Sequence, residues 1–416
     1  MKPSLVYGHQ HNCGAVLIVL LVALLAGSGL WLLEVAQANR QWQRHREATA
    51  ESLGFAKEAL IAYAVSYADN YGHNVRGGAG RLPCPSDSKN SSPARSCGEG
   101  RIGYLPAVWS RGSKRIDIDH VEKFLDQDLW YSVAPPHRYN PSFNTLNSDS
   151  ITGLFSVDQI DDVVAVIIAP GPPLPGQDRL RDNASVADYL EGENADLDLE
   201  FSITDTAGYK SVNSLADVAS NDQLVWIRQS ELMPLMEKRV LGYVKQWLNE
   251  YYLEYGYYPY AAPFEDLNGN CQVGLTSGRL PMGQGSCTGQ QPLGDFVSES
   301  VEKSRPLSDI WFSGSLWQDL IHYQVDPACT AGGSIAECEN TNDSGTLVVD
   351  GDRVKVLLAN AGAAIESAEL GRLQSRVIEN RSLPEYFEVP DLLAAGTSVT
   401  FKDIALPFND QFIVIE

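Results

Sequence analysis

The feature that most constrains this chain is the uncharged apolar run that follows Gly14, from Ala15 to Leu33. At the rise of an α-helix such a run spans roughly 28 Å, close to the hydrocarbon core of one bilayer. A secretory signal has a shorter apolar region and a small-residue cleavage site behind it. From Glu34 no proline or glycine intervenes until Gly54. The sequence therefore predicts one helix that leaves a membrane and continues into the rest of the protein. Charge placement pulls against an exported remainder. Arg40, Arg44 and Arg46 follow the run and only Lys2 precedes it, a bias that favours a cytoplasmic C-terminal side.

The cysteines point the other way. Beyond Cys13, six remain, spaced as Cys84 and Cys97, Cys271 and Cys287, Cys329 and Cys338. None has the C-x-x-C spacing of a zinc site. Three local disulfides formed in an oxidising compartment fit this pattern. Six cysteines allow about fifteen connectivities, so proximity alone selects this one. A net charge of −22 argues against nucleic acid as a partner, because phosphates call for a basic surface.

A length of 416 residues corresponds to about two to three domains. Leu53, Ala56, Leu60, Tyr63 and Tyr67 recur at helical steps, so the helix turns amphipathic and ends near Tyr71-Gly72. Strand signals follow at 128–133, 163–169, 198–203 and 222–227. The pattern then restarts. A second helix is expected from Ser230 to Tyr255, with Ser230 as its cap and Gly256 beyond its end. The loop Arg279-Leu-Pro281 echoes Arg81-Leu-Pro83, and the strand at 352–359 echoes 162–169. Asn409-Asp-Gln echoes Asn221-Asp-Gln. Matches in one order along both halves indicate two copies of one unit. The expected fold class is α+β, a helix followed by an antiparallel sheet, twice.

The N-terminus resembles that of type IV pilins and type II secretion pseudopilins: a short polar leader ending in glycine, then an apolar helix running into a globular head. The resemblance implies cleavage by a prepilin peptidase after Gly14, with Ala15 as the first, methylated, mature residue. Val19 stands where most members carry Glu, as in some minor subunits. Residues 57–135, with Arg81-Leu-Pro-Cys-Pro85, Gly103-Tyr-Leu-Pro106 and Asp128-Leu-Trp-Tyr131, also resemble a group of bacterial pilin-like proteins. These resemblances imply a leader at 1–14, a transmembrane helix at 15–33, a first pilin-like head at 34–229 and a second at 230–416. They imply a minor pilin or pseudopilin, a structural or tip subunit, in the bacterial inner membrane with its heads outside the cytoplasm. Its partners would be other pilin or pseudopilin subunits. The alternative is an uncleaved, membrane-anchored binding protein or adhesin.

Catalytic signatures such as H-E-x-x-H, G-x-S-x-G or a phosphate loop are missing from the sequence, so a non-enzymatic role is expected and no cofactor is required. One loop could hold a structural Ca²⁺. Glu265, Asp266, Asn268 and Asn270 supply alternating oxygens as in the first half of an EF-hand. Gly269 falls early and Ser277 stands where the last acid belongs, so an Asx-rich turn is the competing reading. The tyrosines Tyr251, Tyr252, Tyr255, Tyr257, Tyr258 and Tyr260 fit either a binding surface or helix-to-sheet packing.

Overall fold

The structure, a computed structural model, describes residues 43–66, 80–89, 92–94, 97, 102–106, 108–110, 115–117, 129–138, 154–157, 160–174, 176–180, 185–195, 208–209, 222–299, 312, 316–339, 347–364, 366–367, 370, 372–374, 382–387, 398–400 and 410–416, with 21, 24, 37, 40 and 41. It divides into two compact units, Met1–Ser52 and Leu53–Glu416. In the first, residues 43–52 are helical, and the hydroxyl of Thr49 donates to the His45 carbonyl one turn back, at 2.9 Å.

Among the described residues no helix is long and apolar enough to cross a membrane. This overturns the expected N-terminal transmembrane helix and, with it, single-pass residence in an inner membrane. The stretches seen as long helix carry charges too often for hydrocarbon: Arg44, Arg46, Glu47 and Glu51 in one, Glu231, Glu237, Lys238, Arg239 and Lys245 in another. Of the apolar run at 15–33 only Leu21 and Leu24 are described, both helical; the rest lies outside the described residues.

The second unit mixes helices with antiparallel sheet. Helix α1 covers residues 53–66. A ladder follows, built from β1 (Gly103–Tyr104), β2 (Trp130–Val133), β3 (Ile160–Ala169) and β4 (Gln223–Arg228), adjacent in that order and all antiparallel. Helix α2 (Gln229–Tyr255) starts directly from β4. A second ladder comprises β5 (Ser277–Arg279), β6 (Ile321–Val325), β7 (Val356–Asn360) and β8 (Gln411–Ile415), again adjacent in that order and antiparallel. The register repeats as well. Gly103, Tyr131, Ile167 and Val225 form one row, and Gly278, Tyr323, Leu358 and Ile413 form its counterpart.

Strand alternation sorts side chains by face. Tyr131, Val133, Ala165, Ile167 and Ile227 join Leu53, Ala56, Leu60 and Tyr63 of α1 in one core with α2. Trp130, Val166 and Ile168 face the other way and are covered by Leu190 and its neighbours. Helix α2 buries Val240, Leu241, Val244, Trp247, Leu248 and Tyr251, each worth roughly 1.5–3 kcal/mol relative to exposure. It ends where expected, at Gly256, whose φ of 76° closes the helix with an N–H to Tyr252 O of 2.7 Å. Its start differs. Arg228 is the N-cap and makes no side-chain cap bond. The Ser230 hydroxyl donates instead to Asp162 on β3 at 2.6 Å, because the charged acceptor lies within reach.

Both ladders are bracketed by the same pair of backbone bridges. Leu82 bridges Arg138 and Ser86 bridges Tyr104; Tyr258 bridges Thr330 and Ala262 bridges Arg279. The structural counterpart of Leu82-Pro83 is therefore Tyr258-Pro259, and Arg279 takes the station of Tyr104. The echo between Arg81-Leu-Pro83 and Arg279-Leu-Pro281 is thus a coincidence of short motifs. The expected strand at 198–203 and the helix end at Tyr71-Gly72 lie outside the described residues.

Candidate functional site

One candidate among the described residues is an open, apolar groove of about 690 Å³ between the two long helices of the second unit. Helix α1 supplies Glu58, Ile61, Ala62 and Val65. Helix α2 supplies Leu235, Lys238, Arg239 and Gly242, and Ile413 of β8 forms the floor. These residues lie off the buried stripes of their helices. Leu235 is 46% exposed, an unusual placement for a leucine beside other apolar groups. A Cβ built on Gly242 meets nothing within 4 Å, so the groove is open above the helix backbone at that point. Lys57 and Glu231 tie the two helices at 2.7 Å; such a partly exposed pair contributes under about 1 kcal/mol. Arg239 is ordered on its own helix, with Nε donating to the Tyr243 hydroxyl at 3.1 Å and the guanidinium 4.7 Å from that ring. The groove thus has an apolar floor, a cationic rim at Lys238 and Arg239, and an anionic edge at Glu58.

The sequence-predicted residues fall elsewhere. Gly14 and Ala15 lie outside the described residues. Cys84–Cys97, Cys271–Cys287 and Cys329–Cys338 are disulfide-bonded, with Cα separations of 5.2, 5.7 and 4.7 Å, within the usual span. The loop at 265–270 is an Asx turn. One Asp266 carboxylate oxygen accepts Asn268 N at 3.0 Å and the other accepts Asn270 N at 2.8 Å. Arg279 donates to the carbonyls of Asp266 and Leu267 at 2.7 and 3.3 Å and so braces the turn from inside. Glu265 is exposed. Among the described residues no group of three or more His, Cys, Asp or Glu is placed to hold a metal.

The tyrosines are packing residues. Tyr251 lies against Tyr255 and Phe296 with centroids 4.6 and 5.2 Å away. Tyr252 stacks on Tyr258 at 4.7 Å and donates to Glu339 at 2.7 Å. Tyr260 is buried with the Cys271–Cys287 bridge. Two histidines are buried and neutral. Desolvation lowers His137 and His322 to about 4, helped at His137 by the charge of Arg81. The Nε2 of His322 lies 3.4 Å from Ser277 Oγ.

The groove was not among the sequence candidates. Its signal was present: a glycine in mid-helix at 242, and Leu235 out of phase with the buried stripe of α2. Comparisons of the chain with protein-family models, with curated proteins and with solved structures found no match.

Proposed function

We propose that this protein is a structural subunit of the minor pilin or pseudopilin type, which works by being built into an assembly and does not turn over a substrate. In this reading each ladder with its preceding helix is one head, the leader is removed after Gly14, and the doubled unit sits at a tip or initiating position. The observation that carries the reading is the groove, which exists because two such helices lie side by side. Its occupant is an amphipathic helix of a partner subunit. The apolar stripe of that helix lies on Ile61, Val65, Leu235 and Ile413, and acidic residues on its edge face Lys238 and Arg239. Helix-in-groove recognition of this kind uses apolar anchors at helical spacing. The three local disulfides suit service outside a reducing cytosol.

The test is Gly242→Phe, which fills the groove from a position where a side chain meets no neighbour. The variant should fold with an unchanged melting temperature, and its recovery in purified filaments from the native host should fall at least about tenfold, as loss of ~1.4 kcal/mol or more implies. Equal recovery of the variant and the parent chain contradicts the groove as the docking surface.

A further inference from the structure

The first ladder carries a buried acid cluster on its outer face that the groove does not use. Asp222 immediately precedes β4 and is 1% exposed. One of its carboxylate oxygens accepts Glu191 N at 3.1 Å and Asn194 Nδ2 at 3.2 Å. Among the described residues its other oxygen and the side-chain oxygen of the buried Asn194 have no hydrogen-bond partner. A proton on Asp222 supplies the donor that such orphaned oxygens need.

Glu191 and Asn194 belong to residues 185–195, which roof the outer face of the sheet. Leu190 is buried there, with Val186, Tyr189 and Ala195 against it, over Trp130, Ile168, Leu224 and Trp226. The Trp130 and Tyr189 rings lie 5.2 Å apart. The counterpart of Asp222 in the second ladder is Asp410, and it caps a loop differently, accepting Gly362 N at 3.1 Å.

We propose that residues 185–195 form an acid-closed lid, latched by a proton held at Asp222 beside Glu191, whose release frees the lid and bares the apolar outer face of the first sheet. Burial, and then the neighbouring charge of Glu191, push Asp222 up to about 7. The latch is complete below the ordinary carboxylate range and is lost as pH rises through about 7.

The other described charged groups near this face are held by backbone groups, hydroxyls, amides, aromatic rings and, in one case, an ion pair. Arg179 donates to the carbonyls of Asp188 and Tyr189, both at 3.1 Å, and lies 5.3 Å from the Tyr189 ring. Asp188 accepts Ser185 N and Oγ at 2.8 and 3.0 Å, and Asp178 N at 3.3 Å. Gln177 donates to Glu191 at 2.8 Å. Lys89 reaches over the rings of Tyr104 and Tyr189 at 5.9 and 5.7 Å. Arg228, at the far end of β4, is held by Asp162 at 2.7 Å.

Hydrogen exchange on the full chain tests the lid. Protection of peptides covering 185–195, corrected for the intrinsic pH dependence of exchange, should fall about tenfold between about pH 6 and pH 8.5. Asp222→Asn keeps an oxygen for the Glu191 and Asn194 donors and cannot ionise, so its protection should stay level. Glu191→Gln removes the neighbouring charge, moves the loss to lower protection changes over the same range, and covers the case in which Asp222→Asn fails to fold. Level protection in the parent chain, or an equal fall in all three chains, overturns the proposal.

Discussion

Gly103 and Gly278 occupy the same station in the two ladders, each opposite a fully buried tyrosine, Tyr131 in one and Tyr323 in the other. Both are glycine for the same reason. A Cβ on Gly103 would lie 2.6 Å from the Ser86 carbonyl oxygen, and on Gly278 2.0 Å from that of Ala262. Each of those carbonyls belongs to the segment that bridges the neighbouring residue of the strand. The repeat therefore includes a close backbone approach as well as a strand order.

Gly278→Ala should cost about 1–3 kcal/mol, since backbone must move to admit the methyl group. Gly103→Ala should cost less. Gly242→Ala, in the interior of α2 where a Cβ meets nothing, should instead be neutral or up to about 1 kcal/mol stabilising. Urea unfolding midpoints of the three variants check the order.

The buried pair Arg279–Asp319 closes the Asx turn against the second ladder, because Arg279 also holds the Asp266 and Leu267 carbonyls. Arg279→Met leaves a buried carboxylate and two carbonyls without their donor. The expected loss is about 3–5 kcal/mol. Adding Asp319→Leu to it should return part of that loss, a double-mutant coupling measurable by chemical denaturation.

His137 and His322 are lowered to about 4 by burial, below the ordinary imidazole value. Their folded form is the neutral one. Each contributes stability that is complete above about pH 6.5 and is lost as pH falls through about 4, roughly 3 kcal/mol apiece when fully lost. His322→Phe should flatten the acid limb of the stability curve. A limb of unchanged slope would show that other groups set it.

Each disulfide closes a short loop, with sequence separations of 13, 16 and 9. The chain-entropy relation gives about 3 kcal/mol for each, nearly independent of which one is removed. Paired Cys→Ala variants compared by thermal unfolding should show losses of similar size, and a much larger loss at one pair would point to packing around it.

Much of the fold was legible in the residues. The continuous apolar run at 163–169 lies within β3, and the Asp-Gln pairs Asp222-Gln223 and Asp410-Gln411 lead into β4 and β8 at the same station. Both follow from alternation and local turn chemistry, which short windows carry. The Arg-Leu-Pro echo failed because three residues do not encode which strand they join; the bridges of Leu82 and Tyr258 do, and these are long-range. The apolar run at 15–33 suggested a membrane helix from hydropathy alone, whereas no described helix meets that requirement. Gly242 and Leu235 mark one wall of the groove in the sequence, but its other wall and the Asp222–Glu191 contact were not legible, because each brings together residues from separate elements with no fixed spacing along the chain.

The most direct test of the assembly reading is the mass and N-terminal residue of the protein purified from its own host. Pilin-type processing yields a chain that begins at Ala15 and carries an N-methyl group. A chain that begins at Met1, with Gly14 still joined to Ala15, contradicts pilin-type processing.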